Sequence, residues 1–329
     1  MPGEPLPPLL EIPEPVGDLA AVQVGAGMEL TWSVPRLTTE GTRVRRLNRL
    51  ELYAAFTAPD TDATDFPGRA ELVETFPADK LLSQEKPVSY HLPLSRDRVG
   101  LAARFAVKAI NDRGRDAGFS NIVTVAIVDL PDSPFNLQAA LTEKAIRLRW
   151  DPAGRSVFGG AAPAVTGYQI LRQVLPEPDG SSQPAAIIAT TESTEYADAT
   201  FQFGPTYVYS VRAFRQAGES IASTPDSSQV QVEAVDRFPP APPQNFRAIA
   251  IPGAVEMSWS PNTESDLAGY NVYRSQGGPI QKLNPQPLPV SLFRDANIAA
   301  GVRYSYQLRA TDHDGNESGP SEEVSLTAE

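Results

Sequence analysis

The sequence predicts an all-β protein of three tandem antiparallel sandwiches, and three observations carry the prediction. Apolar and polar residues alternate in short runs, and no helical period of comparable length competes. The runs recur in three successive copies, with tryptophan, tyrosine and glycine at matched offsets. Turn-forming residues separate them, and each copy takes about 100 residues, the usual size of one small two-sheet domain.

The recurring unit has a strand ending in tryptophan: MELTW (Met28 to Trp32), IRLRW (Ile146 to Trp150) and VEMSW (Val255 to Trp259). Period two buries one face of such a strand, and Pro35, Pro152 and Pro261 stop it soon afterwards. The next strand reads LELYAAF from Leu50, GYQILRQ from Gly167 and GYNVYRS from Gly269. Trp32 to Leu50 and Trp150 to Tyr168 are both 18 residues, against 11 from Trp259 to Tyr270, so only the loop has shortened.

A later strand reads FAVKA (Phe105 to Ala109), YSVRA (Tyr209 to Ala213) and YQLRA (Tyr306 to Ala310). Gly114, Gly218 and Gly315 follow these alanines at one offset, which marks a hairpin turn, and the returning strand starts from Ser120, Ser227 or Ser321. Upstream, Tyr196, Asp198, Gly204 and Tyr207 match Phe293, Asp295, Gly301 and Tyr304 at identical spacing. The first copy keeps Gly100 of this set, with Leu92, Leu94 and Ala103 standing where the others have an aromatic, Asp and Tyr.

Proline content sets the boundaries. Residues 1–15 hold six prolines and are expected to form an extended tether, the start of an exported product whose leader is removed upstream. The three domains are expected at 16–130, 131–236 and 237–329. The joints, VAIVDLPDSP and VDRFPPAPPQNF, are short and proline-bound, so an elongated rod of monomeric, self-sufficient domains is expected.

Composition excludes several function classes. The chain has 329 residues, 28 basic and 40 acidic, with a net charge of −12 spread over all three copies. Such a surface repels phosphate backbones and anionic headgroups, which argues against nucleic acid and against a peripheral membrane surface as main partner. Cysteine is absent, so disulfides, zinc-thiolate sites and thiol nucleophiles are excluded together. No apolar stretch approaches the ~18 residues of a membrane span.

The repeats resemble fibronectin type III domains, the immunoglobulin-like sandwiches. The resemblance rests on the second-strand tryptophans Trp32, Trp150 and Trp259, on the third-strand tyrosines Tyr168 and Tyr270, and on the Tyr-x-Tyr-x-apolar-x-Ala strand from Tyr207 and Tyr304. It covers nearly everything after residue 15, with the first copy the most divergent. It implies that Tyr207 and Tyr304 are corner tyrosines whose hydroxyls tie the strand to upstream backbone. It also implies a bacterial cell-envelope or extracellular protein. The expected role is non-enzymatic binding or spacing through protein or carbohydrate contacts, with membrane attachment through an N-terminal lipid anchor of lipoprotein type. The alternative is an accessory array of a larger carbohydrate-active or secreted enzyme.

No catalytic or cofactor-binding constellation is expected. The two histidines, His91 on an alternating strand and His313 in a hairpin loop, fall in different copies, which argues against a Ser-His-Asp relay. Asp312, Asp314 and Asn316 alternate as in a calcium loop, but Glu317 stands where an EF-hand needs glycine and Pro320 occupies the ninth position. These three residues are read as turn formers, with a metal site as the weaker alternative. Two places are candidate contact surfaces: the basic run Arg43, Arg45, Arg46 and Arg49, suited to an acidic partner or sugar acid, and Phe158 in a loop of glycine and alanine.

Overall fold

The computed structural model describes residues 10–78, 81, 86–175 and 184–329. Residues 1–9 of the expected tether lie outside these. The first repeat holds β1 (Ala20–Val24), β2 (Gly27–Trp32), β3 (Leu47–Thr57), β4 (Glu71–Pro77), β5 (Val88–Pro93), β6 (Ala102–Asn111) and β7 (Val123–Ala126). β1, β2 and β5 make one antiparallel face, and β4, β3, β6 and β7 run side by side in the other. Alternation along β2 sends Met28, Leu30 and Trp32 inward to meet Leu50, Leu52, Phe105 and Val107.

The second repeat holds β8 (Phe135–Leu141), β9 (Ile146–Asp151), β10 (Gly167–Leu175), β11 (Ala186–Thr191), β12 (Glu195–Asp198), β13 (Thr206–Ala217), β14 (Ser220–Ser223) and β15 (Val230–Glu233). β12, β9 and β8 face a sheet of β11, β10, β13 and β15. Its β13 hairpin turns at Gly218, whose φ of 61° suits glycine, and returns as β14. β14 then meets β1 in a parallel bridge, Val24 beside Ser223, which joins the two repeats in one eight-stranded sheet.

This junction is held by polar groups that would otherwise be buried without partners. The fully buried Gln23 donates from Nε2 to the Val128 carbonyl at 2.8 Å and accepts from the Val128 amide at 3.0 Å. Arg215 donates to the Asp129 carbonyl at 2.7 Å, and Ser156 Oγ to Asp129 Oδ1 at 2.6 Å. The first joint is therefore a clamped contact, restricted by these bonds as well as by its prolines. The first two repeats make one compact unit, and a second unit is built around residues 234–329 with 142–145 and 201–205.

The third repeat holds β16 (Gln244–Ile251), β17 (Ala254–Ser260), β18 (Leu267–Ser275), β19 (Gln281–Lys282), β20 (Leu292–Asp295), β21 (Arg303–Asp312) and β22 (Val324–Thr327). β16, β17 and β20 face β19, β18, β21 and β22, around a core of Trp259, Tyr270, Val272, Tyr306 and Leu308. Trp32, Trp150 and Trp259 are 1%, 2% and 6% exposed, so each tryptophan sits in the interior of its own repeat. Tyr168 and Tyr270 pack edge-on against Trp150 and Trp259 with ring centroids 5.4 and 5.1 Å apart.

The recurrent serines have a shared physical role. Ser120, Ser227 and Ser321 accept the amides of Val107, Val211 and Leu308 at 2.9–3.0 Å. Each hydroxyl then donates to the carbonyl of the residue that follows it. The side chain thus fills in for a ladder partner where the returning strand has not yet engaged.

Candidate functional site

Buried polar chemistry concentrates in one place in the second and third repeats. Arg172 on β10 bonds Asp198 at 2.7 Å, and Tyr209 on β13 donates to the same carboxylate at 2.8 Å. In the third repeat Arg274 bonds Asp295 at 2.8 Å and Tyr306 donates to it at 2.9 Å. The guanidiniums also lie over the rings of Tyr207 and Tyr304. The Tyr304 hydroxyl accepts the Ala299 amide at 2.9 Å, the corner bond that the family resemblance implies.

Burial pushes the Asp198 carboxyl up, but hydrogen bonds from Thr200, Tyr209 and Arg172 outweigh it and hold the group below its ordinary value. Burial and the carboxylate bond push Tyr209 and Tyr306 far upward, so both stay neutral donors. These groups are fully engaged with one another and point into the sandwiches, so the arrangement locks strands together and offers no reacting atom to solvent. Sequence spacing had picked out Asp198, Tyr207 and Tyr304, but not the partners Arg172 and Arg274 on the opposite sheet.

The first repeat replaces this network as a set. Ladder register puts Leu92 opposite Met28, as Asp198 stands opposite Ile146 and Asp295 opposite Val255. Ala54 pairs with Phe105 where Arg172 pairs with Tyr209 and Arg274 with Tyr306. Leu92 therefore takes the aspartate position, not Leu94 as counting back from Gly100 suggested. The count fails because a 3-10 turn, Arg96–Arg98, lengthens the path to Gly100 in this repeat.

The two histidines belong to different repeats. His91 Nδ1 lies 2.6 Å from Glu29 on an exposed sheet face of the first repeat, whereas His313 is exposed in the third repeat, its amide bonded to the Asp266 carbonyl.

Asp312 is buried, and its two carboxylate oxygens accept the Asn316 amide at 2.7 Å and the Asn316 side chain at 2.9 Å, closing the Gly315 turn. The carboxylates that approach it are Asp236 and Asp266, all three within 4.8 Å, and not the exposed Asp314. Burial, then the charges of Asp312, Asp266 and Asp314, push the Asp236 carboxyl above its ordinary value. Sequence reading missed Asp236 and Asp266 because they lie on a linker and another loop.

The basic run divides into two kinds of residue. Arg49 bonds Glu51 at 2.7 Å, and Arg46 bridges Glu11 and Asp112 at 3.5 and 3.2 Å. Arg43 and Arg45 are exposed and make no ion pair among the described residues. Phe158 is a half-buried anchor: it packs against the core of the first repeat, beside the bond from Arg96 to the Gly159 carbonyl at 3.3 Å. Its packing is that of a loop anchor at the junction.

Among known proteins, no family model matches the chain. It is 28% identical to "Exoglucanase B" of Cellulomonas fimi over 215 residues, 64% of the chain and 18% of that protein. It is 30% identical to "Endoglucanase B" of Cellulomonas fimi over 195 residues, 57% of the chain and 17% of that protein. An "Amylopullulanase" of Thermoanaerobacterium saccharolyticum is 40% identical over 86 residues, 25% of the chain and 6% of that protein. The chain thus spans less than a fifth of the length of these relatives. Among solved structures, a two-domain fibronectin type III segment of chicken tenascin is similar over 60% of the chain and all of the tenascin segment, at 19% identity and a TM-score of 0.38.

Proposed function

Since the chain is a tandem array of fibronectin type III repeats, we propose that it is a non-catalytic segment of an exported bacterial protein that spaces and presents contact surfaces at the cell envelope or outside it. The observation that carries this reading is the fate of the ionisable groups. Asp198, Tyr209, Asp295 and Tyr306 are bonded to one another or to arginine inside the sandwiches, which commits the most strongly shifted tyrosines of these two repeats, and the carboxylates they bond, to holding strands together. Protein or carbohydrate is the partner class, and a lipid anchor on a cysteine upstream of Pro2 is the attachment.

A second reading, an accessory array beside a carbohydrate-active catalytic domain, is favoured by the similarity to short portions of proteins named as glucanases and amylopullulanases. Reading the coding sequence on both sides of this segment separates the two. A signal peptide with a cysteine just before Pro2 supports the envelope protein, and a contiguous catalytic domain supports the accessory array. A transmembrane or cytoplasmic context would overturn both.

A further inference from the structure

The acidic total conceals a basic tip. At the end of the first repeat where Leu10 lies, two loops come together. Leu37 and Arg43 form a bridge, the Val44 amide bonds the Arg36 carbonyl at 2.9 Å, and Arg46 reaches across to Asp112. Asn111, which opens the second loop, gathers its neighbours through one side chain. Its Oδ1 accepts the amides of Arg113 and Arg115 at 3.0 and 2.9 Å, while its Nδ2 donates to the Leu10 carbonyl at 3.3 Å. The Thr39 amide bonds the Ile12 carbonyl at 2.9 Å, which straps the leading segment across the same tip.

Charge and apolar surface coincide there. Arg43, Arg45, Arg113 and Arg115 are exposed and make no ion pair among the described residues. Arg36 and Arg46 share the edge, and the carboxylates nearby include Glu11, Glu14, Glu40, Asp112 and Asp116, of which Glu11 and Asp112 pair with Arg46 and Asp116 with Lys108. Leu10 and Leu37 are 40% and 45% exposed beside these arginines. Unpaired arginines flanking exposed leucines are the chemistry of a surface that meets anionic headgroups with its charges and the acyl boundary with its apolar side chains.

We propose that this tip is a contact site for an anionic phospholipid surface, independent of whether the chain is an envelope protein or an accessory array. The test is sedimentation of the full chain with vesicles of phosphatidylcholine alone and of phosphatidylcholine mixed with phosphatidylglycerol. Binding is expected to the mixed vesicles at low salt and to fall at high salt. Each arginine near such a surface contributes about five-fold to partitioning, so Arg45→Ala/Arg113→Ala weakens binding about 25-fold. Leu37→Ser weakens it too, which binding to a soluble polyanion does not require. The control Arg147→Ala/Arg149→Ala, with the same charge change on the polar face of β9 in the second repeat, where Glu195 stands opposite Arg149, leaves binding unchanged. Absence of binding, equal binding to both vesicle types, or equal loss in the control overturns the proposal. So does tip-dependent binding to polygalacturonate that is tighter than to the vesicles at equal anionic charge. All the substituted residues are exposed, and an unchanged melting curve confirms that each variant is folded.

Discussion

Arg274 and Asp295 form an almost fully buried ion pair, 2.8 Å between Nη1 and Oδ2, at a position where the first repeat carries Ala54 and Leu92. The protein thus holds both solutions to one packing problem. Removing one partner of a buried pair strands the other charge, so Asp295→Ala should cost about 3–5 kcal/mol. The triple variant Arg274→Ala/Asp295→Leu/Tyr306→Phe, which copies the first repeat, should be close to neutral. Calorimetry on the full chain reads both, and a triple variant as damaged as the single one would refute the equivalence.

The recurrent serines give a sharper comparison. Ser227→Ala leaves the buried Val211 amide short of its hydroxyl acceptor and should cost about 1–3 kcal/mol, while the same change at the exposed Ser228 should stay within about 0.5 kcal/mol. Urea unfolding of the two variants is the check.

The clamped junction predicts shared melting. The first two repeats, joined through β14 and β1 and through Gln23, should unfold in one calorimetric transition separate from that of the unit around residues 234–329. Gln23→Ala removes both bonds to Val128 and should lower that transition by about 1–3 kcal/mol and broaden or split it. Three independent transitions in the native protein would contradict the clamp.

Acid should act in opposite directions on two carboxyl sites. Asp198 is held below its ordinary value, so its stabilisation is present above the unfolded carboxylate range and is lost as pH falls through its folded value. Asp236 is held above its ordinary value, so its contribution is greatest at low pH and is lost as pH rises through its folded value. At neutral pH Asp236→Asn should therefore raise the melting temperature of the second unit, and Asp198→Asn should lower that of the first. Titration of amide exchange in the two units across the acid range would show the two slopes.

Much of the fold was legible because sandwich strands announce themselves by period two and by a tryptophan at a fixed place. Trp32, Trp150 and Trp259 could be found by position alone, and so could the glycine turns, whose positive φ needs that residue. Contacts between sheets were not legible, since nothing in the spacing of Arg172 links it to Asp198 on the facing sheet. Loop insertions also mislead, as the turn Arg96–Arg98 shifted the apparent place of Leu94. Of the candidate contact residues, Phe158 serves the junction because its loop closes onto the first repeat. The arginine run was visible, yet its companions Arg113 and Arg115 join it through Asn111 from a distant strand.

The proposed role of these repeats is to space and present surfaces, and a test for catalysis bears on it most strongly. The most direct measurement is release of reducing ends from a panel of soluble β-glucans, starch and pullulan incubated with the full chain over days. The account predicts release no faster than in the blank, together with an unchanged folded protein. Steady turnover on any of these polymers, abolished by one carboxylate substitution that leaves the melting curve intact, would contradict it.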